Sequence, residues 1–357
     1  MRRLTQLSAV AVIAALALTG CGSDSPDDGG TTSDTKDVCK SAKGDGPKIG
    51  LAYDVGGRGD QSFNDSAYAG LEKAVGEFSA TCVEGEATDG EAESAREDRL
   101  RQMADGGATA VIGVGFAYSE SINKVAPDYP DVNFAVVDGF DPDEDVNKNV
   151  AYLGFAEEQG SYLVGVAAAT KSKTGTIGFV GGVHNDLIKK FEAGYVAGAK
   201  AAKPDVEVLV NYIQESDLKG FGDPAGGKSA ATGQFDKDAD VVYHAAGGSG
   251  SGVFDAAVDA GDGKWAIGVD SDQWKTATEA QKPHILTSML KRVDTATYDF
   301  IESIDGGKAL TSYQVYDLKA DGVGYSTSGG FVDDISGDID EYKEKIIGGD
   351  TKVPTKP

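Results

Sequence analysis

The chain is poor in the side chains from which metal and redox sites are built. Among 357 residues there are three cysteines, three histidines, three methionines and two tryptophans. His184, His244 and His284 show no metal-ligand spacing, the cysteines form no Cys-x-x-Cys pair, and no Gly-x-Ser-x-Gly nucleophile elbow is present. Basic residues are also scarce, 33 against 58 acidic, for a net charge of −25. Such a surface repels phosphate backbones, so nucleic acid is not expected as a partner. Long apolar runs are missing too. The longest, residues 7–18, falls short of the roughly 20 needed to span a bilayer.

That run lies between Arg2-Arg3 and Leu18-Thr19-Gly20-Cys21. A basic start, a short apolar stretch and small residues before a cleavage point make an export signal. The segment 1–20 is read as a signal peptide. Leu-Thr-Gly-Cys resembles a lipobox, in which the cysteine thiol is acylated and becomes the new N-terminus. The alternative is an ordinary signal peptide that leaves Cys21 as a lone thiol. Acyl chains on Cys21 would hold the protein on the outer face of the cell membrane. Loss of the two leader arginines takes the net charge to −27. Residues 22–37 contain no large apolar side chain and form a tether, which with Cys21 and residue 38 gives the segment 21–38. A flexible chain of this length reaches roughly 20–25 Å.

Outside the cytoplasm two remaining cysteines are expected to pair, and Cys39 and Cys82 each precede an apolar strand-like run. Beyond them, short apolar runs alternate with segments of helical period, the pattern of an α/β protein with parallel sheets. Strands are predicted at 49–53, 110–114, 133–137, 176–180, 207–213, 241–245, 265–269 and 285–288. Helices are predicted at 63–77, 92–105, 157–171, 187–202, 250–260 and 293–305. The body is long enough for two doubly wound lobes, and in such sheets ligands gather at the carboxyl ends of strands. After the first strand comes Asp54-Val55-Gly56-Gly57-Arg58-Gly59-Asp60-Gln61-Ser62-Phe63-Asn64-Asp65-Ser66. Its glycines do not have the dinucleotide-binding spacing. Ser62 and Asp65 have the spacing of a capping box, placing a helix start near Phe63. The residue types fit either a ligand-binding loop or a glycine-rich turn with Phe63 in the core.

The segment 54–66 resembles the opening motif of the basic membrane protein family, the purine nucleoside receptor type of substrate-binding lipoprotein. Further matches are F-A-E-E-Q-G-S-Y-L-V-G-V-A-A-A at 155–169, G-F-V-G-G at 178–182, F-E-A-G-Y-V-A-G-A-K at 191–200, G-V-D-S-D-Q at 268–273 and I-L-T-S-M-L-K at 285–291. Unlike the family's name, this chain is acidic. The resemblance implies a type I periplasmic-binding-protein fold: two parallel-sheet lobes joined by three crossovers, with the ligand closed between them. The lobes are expected at 39–154 plus about 285–311, and at 155–284 plus about 312–353. The crossovers are expected near 153–155, 281–286 and 310–316. Carried over residue by residue, the ligand site comprises Asp54, Phe63 and Asn64 on the first loop, Asp138 and Asp270 at strand ends, and Lys291. Phe221 stands where the family has a second stacking ring, although residues 214–219 depart from the shorter segment usual there. Gly247, with Gly248, would bring backbone groups to the base. Two rings can sandwich a purine and carboxylates can accept from ribose hydroxyls. Whether the nucleoside is a purine or a pyrimidine is left open by spacing, with purine favoured.

The implied partners are an ABC permease and its ATPase, with the body a monomer, no cofactor, no metal and no catalytic residue. A lipid-anchored sensor that presents another small ligand to a signalling partner would need the same cleft. The anchor and the body are separable in this reading. Cys21→Ala should abolish membrane association in cell fractionation while leaving a folded body. Retention of the variant on membranes in high salt without detergent would contradict the lipobox.

Overall fold

Ala110–Val114 and Val241–Ala245 are buried at every position, as a strand covered by helices on both faces must be. They lie inside two parallel sheets. The computed structural model describes residues 37–141 and 147–357; the signal peptide, Cys21 and the tether to residue 36 lie outside the described residues. In chain order the first half contains α1 (Val38–Ser41), β1 (Lys48–Tyr53), α2 (Phe63–Phe78), β2 (Thr81–Glu86), α3 (Glu93–Asp105), β3 (Ala110–Val114), α4 (Ser119–Val125), β4 (Asn133–Val137) and β5 (Val150–Phe155). The second contains α5 (Glu157–Lys171), β6 (Thr176–Val183), α6 (Asp186–Ala202), β7 (Glu207–Gln214), α7 (Pro224–Phe235), β8 (Val241–Ala245), α8 (Gly250–Ala260), β9 (Trp265–Asp270), α9 (Gln273–Thr276) and β10 (Ile285–Lys291). The chain ends with α10 (Val293–Asp305), β11 (Ser312–Tyr316), β12 (Val323–Tyr325) and α11 (Ser336–Ile347).

The sheets run β11-β5-β4-β3-β1-β2 and β12-β10-β9-β8-β6-β7. All pairings are parallel except that of β10 with β12. Each sheet reverses its strand order beside its first strand, between β1 and β3 and between β6 and β8, which opens a crevice at the strands' carboxyl ends. This is the two-lobed type I periplasmic-binding-protein architecture. Among the described residues three apolar cores fill it, one of them drawing residues from both sheets. Those cores lie within the compact unit Asp37–Pro357. Among the described residues no helix is long and apolar enough to cross a membrane.

Two of the expected crossovers are displaced. The first follows β5, next to the expected 153–155. Ile285–Lys291, expected in the first lobe, instead pairs with β9 and β12 in the second sheet. The strand continues past Ser288 to Lys291, so the chain crosses only before Val293. Helix α10 then packs on α2. Ser312–Tyr316, expected at a crossover into the second lobe, is the edge strand of the first sheet beside β5. Aromatic pairing holds it there: Tyr313 stacks on Tyr152 at 4.9 Å and Tyr316 on Phe155 at 5.4 Å. The third crossing therefore lies between Tyr316 and Val323, and residues 317 onward return to the second lobe. Sequence reading had also not separated β5, α4, α7, β12 and α11 as elements.

The motif at 191–200 is explained by packing. A Cβ on Gly194 would come within 2.1 Å of the Glu158 carbonyl oxygen, and one on Gly198 within 2.0 Å of that of Tyr162. Only hydrogen at these positions lets α5 and α6 lie this close.

Asp37 caps α1 by accepting from the Cys39 and Lys40 N–H groups. Cys39 is joined to Cys82 at the start of β2 by a disulfide, closing a loop with a sequence separation of 43. In the chain-entropy account a loop of this size contributes about 3–4 kcal/mol. The Cys39→Ala/Cys82→Ala double variant should lose about that much unfolding free energy in denaturant titration. Two freely alkylated thiols in the unreduced wild-type protein would contradict the pairing.

Candidate functional site

The loop after β1 is shaped by Asp60. Its carboxylate accepts from the backbone N–H groups of Ser62 (3.0 Å), Asn64 (2.8 Å) and Asp65 (3.1 Å), so Asp60 caps α2 and the expected Ser62/Asp65 capping box does not form. Ser62 makes no side-chain cap bond. Its hydroxyl crosses to the other lobe and donates to Asp270 Oδ2 at 2.6 Å. Asp65 instead holds the loop from outside, accepting from Arg58 Nε and from the N–H groups of Gly59 and Gln61. Asn64 Oδ1 accepts from the Asp54 N–H at 3.1 Å, tying the strand end to the helix start. The Asp54 carboxylate faces Gly115, where a Cβ would stand 2.2 Å from Oδ2 and φ is +105°. Glycine is required there on both counts.

The other carboxylates sit at equivalent places in the two sheets. Asp138 follows β4 and Asp270 ends β9, and both are left-handed, with φ of 60° and 63°. That conformation turns each side chain back over its strand end. Aspartate tolerates it better than most residues. Lys291, 2% exposed, donates to Asp138 Oδ2 at 2.6 Å and lies 3.4 Å from Glu157 Oε1. Its ammonium is also 5.0–5.4 Å from the ring centres of Phe63, Phe155 and Phe191. Burial alone would lower the lysine's pKa, but Asp138, Glu157 and Asp270 outweigh it and hold the group charged. Asp138 Oδ1 is buried with no protein partner. Desolvation pushes Asp54, Asp60 and Asp270 each up to about 6.

These groups gather at one cavity between the lobes, a concave setting of the kind small-molecule sites occupy. All eight residues expected from the sequence, Asp54, Phe63, Asn64, Asp138, Phe221, Gly247, Asp270 and Lys291, are on its wall. Sequence reasoning missed Asp60, Phe116, Leu187, Ile188 and Phe191. Phe116 meets Phe221 edge-on at 6.5 Å. Leu187, Ile188 and Phe191 share the first turns of α6, and their spacing marks a common helical face in the sequence without showing that it lines a cavity. The cavity thus has rings and aliphatic side chains on one part of its wall and carboxylates around an ammonium on another. Its chemistry is to accept hydrogen bonds and to stack.

Other candidate chemistry lies elsewhere. None of the three histidines is on the cavity wall. His184 contacts Glu215, His284 contacts the Lys264 carbonyl, and His244 is buried, its pKa lowered to about 3 by desolvation. Gly222 to Ser229, G-D-P-A-G-G-K-S, has the spacing of a phosphate-binding loop, which corrects the expectation from sequence that no Gly-Lys-Ser of that kind is present. Helix α7 already begins at Pro224, so Lys228 is within the helix, where it pairs with Asp259 at 2.6 Å. No open cradle of N–H groups is left there. Asp37, Cys39 and Glu84 converge with metal-like geometry, but the Cys39 sulfur is committed to the disulfide.

Comparison with known proteins gives a consistent picture. The family profile "ABC transporter substrate-binding protein PnrA-like" matches residues 48–356. The chain is 34% identical to a CD4+ T-cell-stimulating antigen of Listeria innocua, with both chains fully covered. It is 33% identical, over 99% of each chain, to the protein of Lactococcus lactis named ABC transporter nucleoside-binding protein BmpA. Among solved structures it resembles an ABC transporter solute-binding protein of Aeropyrum pernix, with a TM-score of 0.75 and 28% identity over 87% of this chain and 93% of that one. With the two-sheet fold and the cavity between the sheets, these matches place the chain in the Bmp family of PnrA-like ABC transporter substrate-binding proteins.

Proposed function

We propose that this protein is the lipid-anchored, extracytoplasmic receptor of an ABC importer and that it closes around a nucleoside, a purine being favoured. One observation carries the reading: a single cavity combines the rings of Phe63 and Phe221 with the carboxylates of Asp54, Asp138 and Asp270. A ribose offers hydroxyl donors to carboxylates. Asp138 Oδ1, buried and unpaired, is an acceptor awaiting such a donor. A nucleobase offers two flat faces to aromatic rings. A phosphate group would meet carboxylates in place of the arginines and open helix N-termini that bind anions. The name of the Lactococcus lactis relative points to the same ligand class. In this reading Lys291 sets the charge balance around Asp138, to which it donates one hydrogen bond, and can donate another to a base heteroatom. The permease and ATPase are the partners that would take the ligand onward, and the receptor acts as a monomer.

Titration calorimetry of residues 37–357 against a panel of purine and pyrimidine nucleosides, free bases, ribose and nucleotides should give saturable heat with nucleosides. A panel without such heat would contradict the reading. Phe63→Ala should weaken binding by about 1–3 kcal/mol through lost stacking. A Phe63 that served only the core would instead show its effect in the melting temperature of the empty protein.

The pH dependence has opposite signs for binding and for stability. Asp54, Asp60 and Asp270 have folded-state pKa values raised to about 6. Their effect on stability is therefore most favourable below the unfolded pKa and is lost as pH rises through 6. The ionised form accepts ribose hydroxyls more strongly than the protonated one. Nucleoside affinity should thus fall between pH 7 and pH 5, while these groups make the empty protein no less stable over that range. Calorimetry and thermal melts at matched pH check both. An affinity that stays level from pH 7 to 5 would show that no site carboxylate must be ionised.

A further inference from the structure

Gln61 and Ser62 sit in the family's opening motif, and Ser271 and Gln273 in the G-V-D-S-D-Q motif, yet none of the four is on the cavity wall. They meet one another across the lobes. The Gln61 carbonyl accepts from Ser271 Oγ at 2.8 Å and from Gln273 Nε2 at 3.2 Å. Ser62 Oγ lies 2.6 Å from Asp270 Oδ2 and 3.3 Å from the Val269 carbonyl.

Both sides of this contact are held ready by their own lobe. On the first, the Asp60 cap fixes the loop and Gln61 is left-handed, with φ of 52°. On the second, Gln273 is 2% exposed, its Oε1 accepts from the Val269 N–H at 2.8 Å, and its own backbone N–H donates to Ser288 Oγ at 3.2 Å. A Cβ on Gly268 would come within 2.6 Å of Gln273 Oε1, so that glycine is what admits the side chain. Gln273 is thereby anchored at its oxygen and presents its amide nitrogen to the other lobe.

We propose that Gln61 and Ser62, with Asp270, Ser271 and Gln273, form an interlobe latch in which Ser62 and Ser271 are positioning residues. Closing the lobes brings the Ser62 hydroxyl to Asp270, so the carboxylate is oriented only in the closed form. Closure and readiness of the site are then one event, and by linkage a ligand that engages Asp270 tightens the closure. The second half of this inference rests on the assignment of Asp270 to the ligand site. The latch itself does not.

The test uses residues 37–357, which contain the disulfide and all three cores. Small-angle X-ray scattering reads closure without ligand, and stopped-flow release of guanosine reads it with ligand. Ser271→Ala and Ser62→Ala should each enlarge the ligand-free radius of gyration. They should also raise the guanosine release rate by about three- to tenfold, the effect of one hydrogen bond, with association changed by less than about twofold. Ser271→Thr, which keeps the hydroxyl, should behave as wild type. A radius of gyration equal to that of wild type in both alanine variants overturns the latch, even if their melting temperatures fall. If wild-type protein shows no saturable guanosine binding, the nucleoside reading fails and scattering alone decides on the latch.

Discussion

One ammonium group joins the two lobes. Lys291 ends β10 in the second sheet, and its closest partner, Asp138, follows β4 in the first, 2.6 Å away. Glu157, where the chain has just crossed between lobes, completes the surround at 3.4 Å. All three side chains are at most 4% exposed. Removing one partner from a buried pair of this kind costs about 3–5 kcal/mol, because the other charge is left uncompensated. The arrangement therefore favours the state in which the sheets' carboxyl ends face one another. It also determines what is left for a ligand: Asp138 has one oxygen committed to the lysine and the other free.

The two halves reach the site by the same local device. Glycine follows β3 and the corresponding β8 closely, at Gly115 with φ of 105° and Gly247 with φ of 52°, and a left-handed aspartate stands at the ends of β4 and β9. Glycine adopts positive φ freely, whereas a non-glycine residue there costs about 1–3 kcal/mol and persists where surrounding structure over-determines it. Here the result is a ring of acceptors at the point where each sheet's strand order reverses. Carboxylates outnumber the ammonium, so the cavity is suited to hydrogen-bond donors and not to anions.

Much of the fold was legible from the sequence because strands 110–114, 133–137, 241–245 and 265–269 are short apolar runs, with the unusual residues just past their carboxyl ends. The family resemblance supplied Asp54, Asp138 and Asp270 as site residues, together with Phe221 and Lys291. What was illegible depended on distant partners. Ser62 has local cap spacing, but a carboxylate more than 200 residues away takes its hydroxyl, and Asp60 caps the helix in its place. The edge position of Ser312–Tyr316 is decided by stacking on Tyr152 and Phe155. Its own residues, none of them fully buried, carry no mark of which sheet they join. Phe191 was visible as part of a helix but not as a wall of the cavity, since that depends on how α6 sits over the switch point.

The most direct measurement is a crystal structure of residues 37–357 with guanosine bound. The account predicts the base against Phe63 and Phe221, the ribose hydroxyls on Asp138 Oδ1 and Asp270, and the Ser62 to Asp270 contact intact. A nucleoside bound outside the interlobe cavity, or bound within it with the ribose directed away from both aspartates, would contradict it.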